Sequence, residues 1–484
     1  MEVHLVLSLT LYNDLTRSKE PFVPLVEGKV TFYSCGPTVY DYFHVGNARP
    51  FIVFDVLRRW LERRGYEVTF VQNFTDIDDK MIRRAHKEKI TVSELAERFI
   101  AEYHEDATAL GIRPPDVAPR ATEHIPEIIA TIQKIMDNGH AYAAGGDVYF
   151  DVRSWPGYGK LCKQSIDDLE AGARVEPGES KRDPLDFVLW KGEKPGEPAW
   201  DSPWGRGRPG WHIECSAMSS KYLGETIDIH SGGTDLIFPH HENEVAQSEA
   251  ATGKPFVRWW LHNGFLLIDN EKMSKSLGNF LTARAALAKY PPLAIRLFML
   301  GAHYRSPLNF APEGLEQAAH GVARLRNCRS DLEFAARTRC GDASAFDVAA
   351  FEVQLRELGD KFAAAMDDDF NTAAALGALF DVVHLINTTL KDHPVLPRAF
   401  FDASRDALES HDAILGVIGP ADDHEDAEVE RLIEERAVAR KAKDFARSDA
   451  IRDELKARGI VLEDTPQGTK WKRELDTERR GQGA

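Results

Sequence analysis

The sequence predicts an α/β fold with several parts: a domain with a parallel sheet that is interrupted by an insertion, then a helical bundle, then a small α/β domain. Three observations predict it. A strand, glycine turn, helix and strand follow one another over residues 29–74. Residues 116–209 are punctuated by proline and tryptophan, and beyond residue 292 alanine and leucine recur at helical spacing. At 484 residues the chain is too long for one hydrophobic core.

The first part of the chain reads as a βαβ unit. The strand at 29–35 ends in a Gly-Pro turn, a helical stretch covers 47–64, and the segment 67–74 is a second strand. Ligands of such units bind beyond the carboxyl ends of the strands. The residues predicted at this edge are Cys35, His44 and Thr75.

Changes in composition set the remaining boundaries, and the last segment is mildly basic. Over 431–484 it carries 14 Lys and Arg against 11 Asp and Glu. The predicted regions are 1–115 (first half of the α/β domain), 116–209 (inserted connective subdomain), 210–271 (second half), 272–326 (the KMSKS loop and the segment after it), 327–420 (helical bundle) and 421–484 (carboxyl-terminal domain).

Charge and cysteine usage limit the function classes. The formal net charge of −17 argues against indiscriminate nucleic-acid binding, while leaving room for a partner on a local basic face. Five scattered cysteines predict reduced thiols, metal ligands or catalytic groups rather than a disulfide framework. No apolar run approaches the roughly 20 residues of a membrane span, and the amino terminus lacks the pattern of a signal peptide. We therefore expect a cytoplasmic monomer with no membrane partner.

Two short motifs suit phosphate binding. His44, Gly46 and Asn47 lie at the turn into the first helix, whose amino terminus presents free N–H groups and a partial positive charge. The segment 272–276 (KMSKS) places two lysines and two hydroxyls in one loop that can close on a polyphosphate. Each motif alone fits equally well a helix-capping turn or a solvated charged loop.

A second pattern has the composition of a metal site. Cys35, Cys215 and the run PHHENE (239–244) offer sulfur, nitrogen and oxygen ligands, which zinc binds tetrahedrally. Residues three or four apart share one face of a helix, so Glu244 can join either His240 or His241 at one ion. The spacing alone fits equally well two unrelated buried cysteines and a helix start.

The motif pair, about 225 residues apart, resembles the HIGH and KMSKS signatures of the class I aminoacyl-tRNA synthetases. The resemblance implies a Rossmann-like catalytic domain, Mg-ATP as substrate and stem contacts for 272–326. The catalytic residues it implies are His44, Asn47, Lys272 and Lys275, and the ATP-binding residues add Gly46, Met273, Ser274 and Ser276 to these four. Asn47 stands where the motif has a second histidine, so it can donate a hydrogen bond but carries no charge.

Five blocks resemble the cysteinyl-tRNA synthetase family over essentially the whole chain: CGPTVYDYFHVGNARPF, NFTDIDDK, PGWHIECSAM, GGTDLIFPHHENE and EKMSKSLGN. The resemblance implies activation of L-cysteine with ATP and its transfer to tRNA(Cys). It implies one zinc per chain, which binds the thiol of the substrate, on Cys35, Cys215, His240 and Glu244. It places Thr75, Trp211, His230 and Asp235 around the amino acid.

Zinc gives a physical reason for selectivity, because a thiolate is a good zinc ligand whereas the hydroxyl of serine is harder and far less acidic. We therefore expect no editing domain. For the carboxyl-terminal domain, the family implies tRNA binding, and we expect contacts from Arg436, Arg440 and Trp471. An ordinary charged helix with solvated faces explains the same residues.

Two other functions fit parts of the pattern. A ligase that joins cysteine to an amino-sugar, of the mycothiol-ligase type, resembles the same catalytic core and zinc site, but needs no anticodon module. The bundle and the carboxyl-terminal segment favour the synthetase. A non-catalytic tRNA-binding paralogue is disfavoured, because Lys275 and the whole ligand set are present.

Overall fold

A computed structural model describes residues 9–166, 168, 180–268, 271–272, 281–419, 423–465 and 468–473. The chain packs into two compact units. Unit 1 comprises Met1–Ala286, Tyr304–Asn309 and Asp368–Phe370, and unit 2 comprises Leu287–His303, Phe310–Asp367 and Asn371–Ala484.

Unit 1 contains thirteen strands and seven α-helices among the residues that the structure describes. The strands are β1 (Thr10–Asn13), β2 (Ser18–Pro21), β3 (Lys29–Ser34), β4 (Glu67–Gln72), β5 (Ala141–Ala144), β6 (Asp147–Phe150), β7 (Phe187–Gly192), β8 (Gly207–Pro209), β9 (Ile227–Gly233), β10 (Val257–Asn263), β11 (Leu266–Ile268), β12 (Glu271–Lys272) and β13 (Leu308–Asn309). The helices are α1 (Val45–Arg63), α2 (Asp79–Glu88), α3 (Val92–Ala109), α4 (Ile125–Asp137), α5 (Trp211–Leu223), α6 (Glu242–Thr252) and α7 (Ala283–Lys289), the last of which crosses into unit 2.

A parallel four-stranded sheet in the order β10-β9-β3-β4 forms the centre of unit 1. Its inner strands are buried on both faces, as parallel strands covered by helices are. Phe32 on β3 pairs in register with Ile229 on β9, and both side chains are fully buried. The predicted βαβ unit is confirmed as β3-α1-β4. All four strands point their carboxyl ends to one edge, where Cys35, Gly233 and Asn263 follow or end strands.

An antiparallel sheet in the order β5-β6-β7-β8 occupies the stretch that the sequence predicts as an insertion. Glu242, at the start of α6, binds the backbone of residues 159–162, which follow β6. Its fully buried carboxylate accepts backbone hydrogen bonds from Gly159, Leu161 and Cys162 at 2.8 to 2.9 Å. Asp79 on α2 forms ion pairs with Lys191 and Arg208, from β7 and β8. The antiparallel sheet is thereby tied to the helices beside the parallel one.

Unit 2 begins with a helical bundle, as the sequence predicts beyond residue 292, and ends in a small α/β module. The bundle helices are α8 (Pro292–Leu300), α9 (Pro312–Thr338), α10 (Val348–Asp367), α11 (Thr372–Asp392) and α12 (Arg398–Leu415). The module contains α13 (Asp423–Lys441), α14 (Phe445–Ala457) and the antiparallel hairpin β14 (Ile460–Thr465) and β15 (Gly468–Arg473).

Helix α11 is the one helix in the described part of the chain that is long and apolar enough to cross a membrane, with a window of mean hydropathy 1.4. Half of that window is buried inside the structure. Leu379, Val382 and Ile386 are fully buried, as expected for the inward face of a bundle helix. Core helices of bundles pass the same test of length and composition.

Candidate active site and metal centre

Four potential metal ligands meet beyond the carboxyl ends of the parallel strands. Their ligand atoms, from Cys35, Cys215, His240 and Glu244, all lie within 4.8 Å of one another. The two sulfur atoms are 3.9 Å apart, and Cys35 Sγ lies 3.6 Å from Glu244 Oε1. His240 Nε2 lies 3.1 Å from the same carboxylate oxygen.

These separations fit a tetrahedral zinc ion. Zinc–sulfur bonds of about 2.3 Å and zinc–oxygen bonds of about 2.1 Å give tetrahedral edges of about 3.8 Å between two sulfurs and about 3.6 Å between sulfur and oxygen. The observed S–S and S–O distances are 3.9 and 3.6 Å. Two soft sulfur ligands with one nitrogen and one oxygen also match the ligand preference of zinc.

Tertiary structure brings the four ligands together from three elements. Cys35 follows β3, Cys215 lies on the first turns of α5, and Glu244 lies in the first turn of α6. A turn over Ile237–His241, kinked at Phe238 where the backbone is extended, precedes α6 and places His240 four residues before Glu244 on the same side. This is one of the two helical pairings that the sequence left open.

The other pairing is also present. Cys35, Glu244, His230 and His241 form a second group whose ligand atoms lie within 4.8 Å of one another. His241 Nε2 is 3.3 Å from Cys35 Sγ, and 3.9 Å from Glu244 Oε1. Both groups share Cys35 and Glu244, so the cluster offers two overlapping sets of metal ligands. The set with Cys215 and His240 has two sulfur ligands and is therefore softer than the set with His230 and His241, which has one.

Three further histidines support the ligands from behind, and two of them, His212 and His262, were not singled out from the sequence. His240 Nδ1 lies 2.9 Å from His212 Nδ1, and His241 Nδ1 lies 2.7 Å from His262 Nε2. His230 Nε2 lies 2.9 Å from Glu244 Oε2, leaving Oε1 toward the cluster. Such second contacts fix the orientation of metal ligands. The only signal in the sequence was that His212 adjoins Trp211, which is too common a feature to be informative.

The electrostatics of the cluster favour charged ligands. Burial raises the pKa of the Cys35 thiol, which can therefore donate a hydrogen bond to Cys215. That hydrogen bond lowers the pKa of Cys215 to about 6, against the effect of burial. Burial would raise the pKa of Glu244, but His230 and His240 lower it to about 2. The cluster therefore holds a thiolate and a carboxylate. Burial would lower the pKa of His240, but Glu244 and Cys215 raise it to about 10, so a metal ion bound here would replace the second proton of that imidazole.

A cavity of about 310 Å³ opens above the cluster. Several predicted site residues line it. They are Cys35, His44, Gly46, Asn47, Trp211 and Asp235. The cavity thus reaches the metal cluster through Cys35, and it is also lined by the turn before α1.

The turn before α1 is tight around His44. A Cβ atom on Gly46 would lie 2.8 Å from His44 Nδ1, closer than side chains approach, so glycine leaves room for the imidazole. His44 itself adopts an extended backbone as the residue before the helix. The amino terminus of the 19-residue helix α1 therefore faces the cavity with its partial positive charge.

Two residues predicted around the amino acid do not line the cavity. Thr75 is buried, and its hydroxyl donates a hydrogen bond of 2.9 Å to Glu214 Oε2. His230 is fully buried and stacks on Trp260. No motif in the sequence singles out Glu214, and burial raises the pKa of its carboxyl group.

The predicted lysine loop falls largely outside the described residues. Lys272 pairs with Leu267 at the end of β12, and its side chain is not described. Met273, Ser274, Lys275 and Ser276 lie outside the described residues. The described residues on both sides adjoin the turn at His44, because the backbone N–H of Val45 donates to the carbonyl of Leu281 and Leu266 lines the cavity.

In the carboxyl-terminal module, two of the three predicted tRNA contacts point inward. Arg436 is 6% exposed and donates to both oxygens of Asp464, at 2.7 and 2.9 Å. Trp471 packs against the apolar core of the module and donates to Glu430 at 3.1 Å. Arg440 is exposed but also pairs with Asp464.

One aromatic residue on the surface of the same module was not among the predicted tRNA contacts. Phe445, the first residue of α14, is 62% exposed. Lys441, Lys443 and Arg447 flank it in the sequence. The signal in the sequence was an aromatic residue among lysines and arginines. Trp471 has the same surroundings in the sequence, and only its burial distinguishes it from Phe445.

Comparisons with known proteins agree with this architecture along the whole chain. A family model described as the tRNA synthetases class I (C) catalytic domain matches residues 21–320, and a DALR domain model matches 361–419. The model of the cysteinyl-tRNA ligase anticodon binding domain matches residues 422–471.

Whole-chain relatives and solved structures give the same result. The cysteine–tRNA ligases of Caldicellulosiruptor saccharolyticus and Symbiobacterium thermophilum are each 56% identical to this chain, over 96% of it and 100% of the relative. A solved Mycobacterium tuberculosis methionyl-tRNA synthetase, in complex with methionyl-adenylate, matches with a TM-score of 0.57 at 16% identity, over 81% of this chain and 90% of that chain. The structural likeness confirms the predicted fold class, and the sequence identity shows that the chain belongs to the cysteine–tRNA ligase family of class I aminoacyl-tRNA synthetases.

Proposed function

We propose that this chain is a zinc-dependent cysteinyl-tRNA synthetase. It activates L-cysteine with Mg-ATP to cysteinyl-adenylate, releases pyrophosphate, and transfers cysteine to tRNA(Cys). One observation carries the proposal: four ligand atoms with separations suited to zinc adjoin, through Cys35, a cavity that is also lined by the amino terminus of α1. The site can therefore hold a thiol and a polyphosphate side by side.

The metal end of the cavity selects the amino acid. We propose that Cys35, Cys215, His240 and Glu244 hold one zinc ion per chain. A zinc ion held by these residues would supply a soft Lewis acid that favours the thiolate of cysteine over the hydroxyl of serine. This selection makes a separate editing domain unnecessary, because it supplies the discrimination that an apolar pocket cannot.

The remaining residues of this end position the amino acid. We assign Asp235, which lines the cavity, to the ammonium group of cysteine, and exposed Trp211 to the wall of the pocket. Thr75 and His230 act from behind the lining, since their side chains are engaged with Glu214 and Glu244.

The other end neutralises charge on the phosphates. The reaction asks for positioning and for donors aimed at phosphate oxygens, and little covalent chemistry falls to the protein. We assign the His44 imidazole, the Asn47 side-chain amide and the positive end of the α1 dipole to the phosphates. We assign Lys272 and Lys275 to the pyrophosphate side of the transition state, with Gly46, Met273, Ser274 and Ser276 completing the ATP site.

The first test is ATP–pyrophosphate exchange with cysteine and with serine, on protein of measured zinc content. We expect cysteine to be preferred by a factor on the order of 1000 or more. Removal of zinc should abolish the exchange and its return should restore it. Absence of cysteine-dependent exchange from zinc-loaded protein would favour the non-catalytic paralogue.

Charging of tRNA then separates the synthetase from the amino-sugar ligase. The ligase is already disfavoured, because residues 422–471 match an anticodon binding domain that a sugar ligase has no use for. Action as a monomer in the cytoplasm, away from membranes, stays a prediction. Gel filtration of the purified chain would test the monomer.

We further propose that Phe445 stacks on an unpaired base of the anticodon loop, with Arg440 and its neighbouring lysines on the phosphates. Phe445→Ala should raise KM for tRNA about tenfold in aminoacylation, because base–aromatic stacking is worth about 1–3 kcal/mol. Exchange, which needs no tRNA, should stay within twofold. Val438→Ala is the matched control, since Val438 is also 62% exposed. An unchanged KM for Phe445→Ala would remove this assignment.

A further inference from the structure

We infer that Lys80 binds the backbone of the unpaired 3′ end of tRNA at the mouth of the cavity. This inference rests on the proposed function and adds a substrate-contacting residue to it. Lys80 lies on the first turn of α2 and lines the cavity. It is the one lysine or arginine among the described residues of that lining. Its side chain is exposed, so the ammonium stands where a substrate arrives from solution.

Neighbouring contacts hold Lys80 in this position without neutralising it. Its ammonium lies 5.5 Å from the ring centroid of Tyr40, another residue of the lining. Its backbone N–H donates to Asp78, the residue that caps α2. The adjacent carboxylate of Asp79 is engaged with Lys191 and Arg208, and Asp41 with Arg84. Of these three nearby acids, Asp79 and Asp41 are therefore paired with other cations, and Asp78 caps the helix.

The positions of the cations indicate that Lys80 binds an anion other than the triphosphate of ATP. The cations proposed for ATP belong to the segment between Leu266 and Leu281, and both of these residues adjoin the turn at His44. Lys80 instead belongs to the wall formed with Tyr40. Cysteine occupies the metal end and ATP the His44 end, so tRNA is the remaining anionic substrate. Its 3′ end must enter through the mouth to reach the activated carboxyl group.

The chemistry of the mouth suits a single strand. Lys80 supplies a point charge for a phosphodiester, and the ring of Tyr40 lies beside its ammonium in the same lining. A cation beside an aromatic ring is the combination that binds single-stranded nucleic acid without reading its sequence.

The test compares Lys80→Ala with Lys80→Arg in two assays. We expect Lys80→Ala to lower kcat/KM for tRNA in aminoacylation about tenfold, and to leave cysteine-dependent ATP–pyrophosphate exchange within twofold of wild type. Lys80→Arg should retain most of the activity, because it keeps the charge. In a plot of the logarithm of the tRNA binding constant against the logarithm of salt concentration, the slope for Lys80→Ala should be less steep by about 0.7. This is the change expected when one phosphate contact to a single strand is lost. Lys87→Ala, an exposed lysine on the same helix, is the control.

A second measurement locates the contact. Binding of intact tRNA and of tRNA without its three terminal nucleotides is compared for wild type and Lys80→Ala. The variant should weaken binding of the intact tRNA only. Equal weakening for both would place Lys80 on the stem, and a parallel fall of exchange and aminoacylation would place it on ATP. Either result, or no change in both assays, overturns the inference. Absence of exchange in wild type would instead overturn the proposed function.

Discussion

Replacement of Cys215 by serine is expected to remove the metal and, with it, the activation of cysteine. The hydroxyl that replaces the thiol is not deprotonated near neutral pH and is a poor zinc ligand. The remaining cluster loses the sulfur atom that lies 3.9 Å from Cys35 Sγ. Since loss of supporting residues alone costs about 10–100-fold in metal affinity, loss of a ligand should cost more than about 100-fold. Zinc content should fall from one per chain to a small fraction, and cysteine-dependent exchange should fall with it.

Cys328→Ser is the matched control for this experiment. Cys328 is a buried thiol on α9, and no His, Cys, Asp or Glu group with metal-binding geometry includes it among the described residues. This variant should keep its zinc and its exchange activity. If Cys215→Ser also kept both, the metal would belong to the second group, with His230 and His241 in place of Cys215 and His240. Plasma emission spectrometry of each purified variant measures the metal directly.

Replacement of Gly36 by alanine is expected to disrupt the same site through the backbone. A Cβ atom at Gly36 would lie 1.6 Å from the carbonyl oxygen of Asn73, so the main chain after β3 or after β4 has to move. Cys35 is the adjacent residue and would move with it. We expect a loss of about 3 kcal/mol or more in the free energy of unfolding, in the range of strong steric disruptions, together with weaker zinc binding.

The contrast for this variant is Gly377→Ala. Gly377 lies in helix α11, and a Cβ atom there meets no atom within 4 Å. Alanine at that position should be neutral or should stabilise the protein by up to about 1 kcal/mol, because glycine is unfavourable inside helices. Thermal unfolding of both variants, with zinc content before heating, checks the pair. A Gly36→Ala protein with wild-type melting temperature and full zinc would show that the close contact is relieved without cost.

Local sequence was enough to predict the main elements of the fold. The β-forming run at 29–35, the glycine turn after it and the strand at 67–74 predict β3, α1 and β4, because period and turn chemistry act over a few residues. The helices beyond residue 292 followed from the same periodicity. The antiparallel sheet β5-β6-β7-β8 was not predicted, since its pairing joins residues about 40 positions apart and depends on the path of the loop between them.

The candidate site, like the fold, could be predicted from the sequence only in part. Sequence identified Cys35, Cys215 and the PHHENE run as chemically suitable ligands, and left open whether His240 or His241 joins Glu244. The fold brings both imidazoles to the cluster: His240 Nε2 lies 3.1 Å from Glu244 Oε1, and His241 Nε2 lies 3.9 Å from the same oxygen. These positions depend on the kinked turn before α6 and on the strand order, which local patterns do not encode.

Burial distinguishes two aromatic residues that the sequence presents as alike. Residue type alone presents Trp471 and Phe445 as equivalent aromatic residues beside cations. Packing of the hairpin against α13 and α14 places Trp471 on the apolar core of the module and leaves Phe445 exposed. The chemical identity and spacing of side chains were therefore enough to predict the family, the reaction and the types of metal ligand. Which of those side chains are available to a substrate was decided by tertiary packing, because exposure is set by contacts between segments far apart in the chain.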